Sequence, residues 1–246
     1  MNMKRVLLIA TIAVAMLGVS CSKSGDDSPK PEETKTYLLK KHTYKESDND
    51  PFVIEFTYDD KNRLIKTKHE EGYEAYTYDA NNNLTKKEEF GSDLKLQTTS
   101  TYKYEDNTIA ITRQSGDYES SISLQLNDKK QIVKRTESND VTTYEYDSKG
   151  NLIKINGNGY TYTYSYDDKK NPFSTVAANK LLPTLVVDDF VNEGFVNNVN
   201  GYSFTGANGS STTSKVLQYN EDGYPTKISS TYKTYSWEET FEYIVK

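Results

Sequence analysis

Polar and apolar side chains alternate along most of this chain. Segments such as Phe56-Thr57-Tyr58 and Tyr144-Glu145-Tyr146 place aromatic residues at every second position, with polar residues between them. A period of two, rich in Tyr, Thr, Phe and Ile, predicts β-strands with two different faces. Helical periodicity is nearly absent from residues 37 to 170. The pattern therefore predicts an all-β protein.

The alternation recurs as a short unit: an aromatic pair, an acidic turn, an apolar residue and a lysine. We call the second aromatic position of each unit the anchor. Successive anchors are 20, 26, 22, 20, 20, 53 and 24 residues apart, at Tyr58, Tyr78, Tyr104, Leu126, Tyr146, Tyr166, Tyr219 and Tyr243. Most spacings equal one hairpin, so the repeat predicts consecutive β-hairpins that pair with their neighbours.

Each unit also predicts its own turn. An Asp or Asn directly follows the anchor in six copies, where its side chain can bond to backbone N–H groups further on. Four residues past the anchor, these copies have Asn62, Asn82, Lys130, Gly150, Lys170 and Gly223. Asn and Gly tolerate positive φ, so we expect a type I turn followed by a left-handed residue. The acidic residues are thereby explained as turn formers rather than as calcium ligands.

Two features shape the predicted sheet. Pro172 and Pro225 occupy the apolar position of their copies, which predicts strand edges or ends. The chain has 21 Tyr against 8 Phe and 1 Trp, and tyrosine can cover a sheet face while its hydroxyl stays in water. We therefore expect one β-domain over residues 37–246, an antiparallel meander of hairpins that forms one large twisted or partly closed sheet.

One insertion interrupts the repeat at about residues 173–213. It is predicted to be mostly irregular or short-helical, with helix favoured over residues 176–182 and ended by Pro183. Its apolar residues indicate either a plug on the tyrosine face of the sheet or a lid over a binding site. If the protein is a spacer, removing residues 174–212 should leave the fold intact.

The first 20 residues predict a lipoprotein signal peptide. Lys4 and Arg5 precede an apolar stretch of twelve residues, from Val6 to Leu17, which is too short to span a bilayer. Cys21, the only cysteine, follows directly, as in a bacterial lipobox. The alternative is an ordinary cleaved signal with an incidental cysteine. We expect lipidation of Cys21 and anchoring to the outer membrane.

Residues 21–36 predict a flexible tether, since they are polar and contain proline. The acidic pair Asp26-Asp27 resembles a surface-export signal, although a solvated linker would look the same. We therefore expect a surface-exposed protein, with a periplasm-facing one as the alternative. Without Lys4 and Arg5, 28 basic residues stand against 36 acidic ones. This balance disfavours nucleic acid as a partner.

Residues that could carry catalysis are scarce. His42 and His69 lie outside any zinc-binding pattern and are predicted to be surface residues, so we expect no metal. Neither of the acidic pairs Asp188-Asp189 and Glu238-Glu239 is a natural acid–base couple, because neighbours on a strand point to opposite faces. Both pairs are predicted to be solvated. We expect no catalytic residues, no enzyme activity and no cofactor.

The last hairpin contains the candidate binding residues Trp237, Tyr235 and Tyr232. On an exposed face these rings could stack on a sugar or anchor a partner protein. The alternative is ordinary packing within the sheet.

The segment Tyr-x-Tyr-Asp-x-x-Gly-Asn-Leu-x-Lys at residues 144–154 resembles the YD repeats of Rhs and teneurin-type proteins. Together with Cys21 and Lys-Asn-Pro-Phe at 170–173, the chain is similar to a family of Bacteroidota lipoproteins. The resemblance implies β-hairpins in a spiralling sheet and a cell-envelope protein without assigned catalytic residues. We expect a noncatalytic binding module for a glycan or an envelope protein. The alternatives are a structural scaffold or spacer and, third, a glycoside hydrolase.

Overall fold

The computed structural model describes residues 35–47, 49–176, 196–207, 209–232 and 235–246, without the side chain of Tyr232. These residues form sixteen strands and one 3₁₀ helix. The predicted all-β class is confirmed. The predicted signal peptide, Cys21 and the tether as far as residue 34 lie outside the described residues.

The strands follow one another along the chain with short connections, except between β12 and β13, where residues 171–196 intervene. The first eight are β1 (Tyr37–Glu46), β2 (Phe52–Tyr58), β3 (Leu64–His69), β4 (Gly72–Tyr78), β5 (Leu84–Gly91), β6 (Leu96–Glu105), β7 (Thr108–Ser115) and β8 (Tyr118–Leu126). The second eight are β9 (Ile132–Glu137), β10 (Asp140–Tyr146), β11 (Leu152–Gly157), β12 (Tyr160–Lys170), β13 (Asn197–Gly206), β14 (Gly209–Tyr219), β15 (Pro225–Tyr232) and β16 (Tyr235–Val245).

The sheet is a closed barrel, in which each strand pairs antiparallel with its neighbours in sequence and β1 pairs with β16. The closing pair runs from Tyr37–Val245 to Glu46–Trp237. The expectation of an open or partly closed sheet is therefore wrong. Strand twist accumulates around a sheet, and closure pairs the two strands that would otherwise be edges.

The predicted turns are confirmed in five of the six copies. The left-handed residue has φ of 60° at Asn62, 64° at Asn82 and 60° at Lys130, and glycine takes this place at 150 and 223. The Asp79 carboxylate accepts bonds from the backbone N–H groups of Asn81 and Asn83, both at 2.8 Å. Hydrogen bonds from Asn83 lower the pKa of Asp79. The sixth copy has no turn, because β12 continues to Lys170.

The anchor tyrosines join consecutive repeats. Six of the seven anchor tyrosines donate their hydroxyl to a backbone carbonyl near the start of the preceding strand, for example Tyr78 to Leu64 at 2.6 Å and Tyr146 to Ile132 at 2.7 Å. The Tyr219 hydroxyl donates to the Asp167 side chain instead. The other four pairs with a carbonyl are Tyr58–Leu39, Tyr104–Leu84, Tyr166–Leu152 and Tyr243–Pro225. Burial raises the pKa of these tyrosines, that of Tyr104 to about 12. The expectation of wet hydroxyls is wrong at these six positions.

The two ends of the barrel differ. The floor end carries the five-residue repeat turns, such as 79–83 and 147–151, and the backbone pairing of Thr36 with Lys246. The mouth end carries shorter connections, such as 70–71 and 158–159. The hydrophobic core lies toward the floor end, because its most buried members open their strands there: Leu39, Leu64, Leu84, Ile109, Ile132 and Leu152.

The 3₁₀ helix Pro172–Thr175 packs into this core. Asn171 caps it by accepting a bond from the Phe173 N–H at 2.8 Å. Phe173 and Val176 are 7% and 3% exposed, and both belong to the core cluster. The hydroxyl of Thr175 accepts the Leu39 N–H at 3.0 Å. This described part of the insertion is therefore a plug, as one of the two interpretations predicted.

The described end of the insertion, from residue 196 onward, is more regular than expected. Residues 197–206 and 209–219 form β13 and β14, which belong to the barrel wall. Deleting residues 174–212 would therefore remove barrel strands, so that expectation is wrong. The predicted helix over 176–182 lies outside the described residues from residue 177 onward. Pro225 opens β15, which confirms the predicted strand end, whereas Pro172 lies beyond the end of β12 as the first residue of the 3₁₀ helix.

The outer face is polar and charged. Cross-strand pairs such as Lys41 with Glu242 at 3.1 Å and Lys154 with Glu145 at 3.5 Å lie on it. Lys227 and Glu238 form another pair. In the described part of the chain, no helix is long and apolar enough to cross a membrane.

Replacing Tyr146 by Phe should lower the free energy of unfolding by about 1 kcal/mol, because the Ile132 carbonyl loses its donor in a buried position. Urea unfolding measures the change. Tyr73→Phe is the matched control, since the Tyr73 ring stacks on Phe90 outside the barrel. It should change stability by less than about 0.5 kcal/mol. Equal losses of unfolding free energy in the two variants would show that the hydrogen bond from Tyr146 to Ile132 has no special role.

Candidate ligand site in the barrel lumen

The barrel encloses a cavity of about 1450 Å³ above the packed floor. Its lining comes from strands all around the barrel and includes the plug residues Asn171, Pro172 and Phe173. Residues close to the mouth end also line it, among them Phe52, His69, Arg113, Phe204 and Trp237. The cavity therefore extends from the plug toward the mouth.

Five contacting rings form one side of the cavity, which we call the aromatic wall. It consists of three tyrosines from β12 and two residues from β13: Tyr160, Tyr162, Tyr164, Tyr202 and Phe204. The ring centroids of Tyr162 and Phe204 are 4.9 Å apart, and those of Tyr162 and Tyr164 are 6.2 Å apart and nearly parallel. Burial raises the pKa of Tyr162 and Tyr164, so both remain neutral near pH 7.

Strand register and one glycine build this wall. Tyr162 pairs with Phe204 and Tyr164 with Tyr202, so rings two residues apart on each strand meet rings on the next. Gly157 pairs with Tyr160, and a Cβ at Gly157 would lie 2.0 Å from the Tyr160 ring. Glycine at this position therefore leaves the space in which the Tyr160 ring lies.

A second part of the lining carries charges, and we call Glu74, Lys87, Glu89 and Arg113 the ionic wall. The Lys87 side chain is 2% exposed, and its ammonium lies 3.3 Å from Glu74 and 3.1 Å from Glu89. The Arg113 guanidinium lies 3.4 Å from Glu89. A buried ammonium is stabilised only by such partners, so the wall holds its charges as a connected cluster.

The ionic wall also bears on the hydrolase hypothesis. Glu74 and Glu89 face each other in register and share the Lys87 ammonium. In glycoside hydrolysis two carboxylates act on the substrate from opposite sides, whereas here both bond to the ammonium that lies between them. The pair is therefore suited to an ion cluster rather than to acid–base chemistry.

A third charged group lies near the plug. The His42 Nε2 atom is 3.1 Å from Glu239, and the Lys215 ammonium is 3.8 Å from the same carboxylate. Burial alone would raise the pKa of Glu239, but the His42 bond and the nearby Lys215 charge hold it below its usual value. The His42 ring stacks on Phe241 at 4.9 Å and meets Phe173 of the plug edge-on. This group thus links the barrel wall to the plug.

The predicted surface positions of the histidines are wrong. His42 is 7% exposed, and His69 lines the cavity. Glu238 and Glu239 do point to opposite faces, as predicted, but the Glu239 side chain is only 15% exposed rather than solvated. Asp188 and Asp189 lie outside the described residues.

The predicted binding trio is not brought together on an exposed face. Trp237 is partly buried and lines the cavity. Tyr235 is 60% exposed at the mouth end, where β16 begins. The backbone of Tyr232 pairs with Tyr235, while its side chain lies outside the described residues. In the described ranges, no cluster of three or more His, Cys, Asp or Glu residues could hold a metal ion.

The aromatic and ionic walls were missed by sequence reasoning, although a signal was present. Glu239, Phe241 and Tyr243 share one phase of their strand, so Glu239 points to the same side as the anchor Tyr243. Glu74, in phase with Tyr76 and Tyr78, follows the same rule. A charged residue in phase with an anchor therefore marks the lumen.

Comparison with known proteins bears on the repeat. Residues 58–89 match the family model for the RHS Repeat, which confirms the resemblance to YD repeats over that segment. No curated protein sequence matches the chain.

Two solved structures are similar in part. A porin-like protein from Bacteroides uniformis ATCC 8492 matches with a TM-score of 0.41 and 15% identity, over 85% of this chain and 98% of that one. The TcdB2-TccC3 structure matches with a TM-score of 0.31 and 11% identity, over 74% of this chain and 12% of that one. The chain thus spans only a small part of the TcdB2-TccC3 chain.

Replacing Lys87 by Met should lower the free energy of unfolding by about 2 kcal/mol, because Glu74 and Glu89 lose the cation that they share. Both carboxylates retain some exposure, which limits the loss. The control is Lys227→Met, since Lys227 pairs with Glu238 on the outer face and should contribute less than about 1 kcal/mol. Urea unfolding measures the change in both variants. Similar losses of unfolding free energy would contradict the assigned role of Lys87.

Proposed function

We propose that the protein is a noncatalytic binding module of the cell envelope that holds a glycan chain in the barrel lumen. The observation that carries this proposal is the aromatic wall, in which five rings in contact border a cavity of about 1450 Å³. Flat rings present apolar faces on which the C–H faces of sugar rings can stack, while tyrosine hydroxyls offer hydrogen bonds.

The composition of the lumen favours a glycan over an apolar ligand. Sites for apolar small molecules are lined mostly by apolar side chains and measure about 300–1,000 Å³. This cavity is larger and combines the aromatic wall with the ionic wall. A chain of sugars has both apolar ring faces and many hydroxyl groups, and can therefore contact both walls at once.

The N-terminal strand enters the barrel at the end opposite the mouth. We propose that Cys21 is lipidated and anchors the protein to the outer membrane, with the barrel at the cell surface. Lys35 and Thr36, through which the tether joins the barrel, lie at the floor end. In an anchored protein the tether would thus join the barrel at the end opposite the mouth, where a glycan chain can enter.

Tyr162→Ala should weaken the binding of a neutral oligosaccharide about tenfold or more, because Tyr162 contacts three other rings of the aromatic wall. The probes are cellohexaose, maltohexaose and mannohexaose, and calorimetry measures their affinity. Tyr73→Ala removes a ring from the outer face and should leave affinity unchanged. Failure of the wild-type protein to bind any of the three would oppose the glycan proposal and favour the spacer alternative.

Cys21→Ser should release the protein from the membrane fraction of a bacterial host that processes lipoproteins, because serine cannot carry the thioether-linked lipid. Ser22→Ala is the neighbouring control and should remain membrane-bound. Detergent-phase partition and labelling with a fatty-acid analogue provide the measurement. An unlabelled wild-type protein would indicate an ordinary cleaved signal. Protease treatment of whole cells then separates a surface-exposed barrel from a periplasm-facing one.

A further inference from the structure

The charges around the lumen compensate one another. Among the described residues, four cations and three carboxylates line the cavity, and a fourth carboxylate, Glu137, pairs with Arg135. The cations are Lys87, Arg113, Arg135 and Lys215, and the lining carboxylates are Glu74, Glu89 and Glu239. Each of these eight groups has an opposite charge within 4 Å. These eight groups together have no net charge.

A lining whose charges already have partners interacts differently with neutral ligands and with charged ligands. A hydroxyl group can donate to a carboxylate and accept from an ammonium or guanidinium, so a neutral sugar can bond to paired charges without separating them. An acidic sugar brings a carboxylate that must lose its hydration, and it meets cations that already have partners. The gain from a new ion pair is then offset by the loss of an existing one.

From this balance we propose that the lumen selects uncharged glycan chains, and that Glu89 is a specificity-determining residue that excludes acidic ones. The inference rests on the proposed glycan-binding function. Glu89 holds this position because its carboxylate bonds to both Lys87 and Arg113, at 3.1 and 3.4 Å. Removing its charge leaves both cations with one carboxylate fewer and gives the lumen a net positive charge.

The test is a gain of binding. Glu89→Gln keeps the shape of the side chain and should bind hexagalacturonate about tenfold more tightly than the wild-type protein does, because one unit of negative charge is gone. The gain should shrink at high salt concentration if it is electrostatic. Trp237, the only tryptophan and a lining residue, provides a fluorescence signal for the titration. Cellohexaose, maltohexaose and mannohexaose are titrated in parallel.

Glu238→Gln is the matched control. It makes the same change in net charge one residue away from Glu239, but on the outer face, where Glu238 pairs with Lys227. It should leave hexagalacturonate affinity at the wild-type level. Equal affinities of Glu89→Gln and Glu238→Gln for hexagalacturonate would overturn the inference. So would a wild-type protein that binds hexagalacturonate as tightly as the neutral hexaoses.

A second variant covers the case in which Glu89→Gln does not fold, as judged by circular dichroism. Arg113→Gln alters a side chain that is 40% exposed and makes the lumen net negative. It should weaken hexagalacturonate binding about tenfold relative to the neutral hexaoses. An unchanged ratio in a folded Arg113→Gln protein overturns the inference by itself.

The two proposals fail in different ways. If the wild-type protein binds a neutral hexaose but Glu89→Gln gains nothing, the glycan site stands and the charge-based selection is wrong. If no neutral hexaose binds while Glu89→Gln gains affinity for hexagalacturonate, charge exclusion at Glu89 stands and the proposal of a neutral glycan ligand is wrong. If neither occurs, both are wrong.

Discussion

The hydrogen bond from an anchor tyrosine to the preceding repeat is the interaction on which this barrel depends. In six places the hydroxyl reaches a backbone carbonyl near the start of the neighbouring strand, at the floor end. The tyrosine ring fills the interior beside an apolar residue such as Leu64 or Leu84. One side chain thus joins two repeats, satisfies a buried carbonyl and contributes to the core, which explains why tyrosine rather than phenylalanine is the common anchor.

The lumen differs from the floor because the inward-facing residues of each strand change in type between the floor end and the mouth. Near the floor end, anchor and apolar positions meet and pack tightly. Toward the mouth, the inward positions are Glu74, Glu89 and Arg113 on one part of the wall and tyrosines on another. The aromatic wall lies on β12 and β13, the strands on either side of the place where the regular turn is missing. The strands that flank the missing turn therefore carry the aromatic part of the lumen lining.

Local features could be predicted from the sequence, and distant ones could not. The strands and turns follow from alternation and from side chains that bond within a few residues, as Asp79 does with Asn81 and Asn83. Closure joins residue 37 to residue 245, and no local pattern encodes such a pairing. The burial of His42 depends on Phe173 and Phe241, which only the closed barrel brings beside it. Trp237 was singled out as a candidate binding residue, but its face of the sheet could not be assigned before the barrel was known.

Closure by the first and last strands has a consequence for how the protein is made. The pairing of β1 with β16 has the longest sequence separation in the barrel, and contacts of this kind form slowly because the intervening chain must first be ordered. Until β16 is present, β1 and the most recently formed strand are both unpaired edges that can join other chains. A chain that ends early would keep these edges permanently. Aggregation resistance is thus a property of the complete barrel, acquired only when its last eleven residues of strand, Tyr235–Val245, are in place.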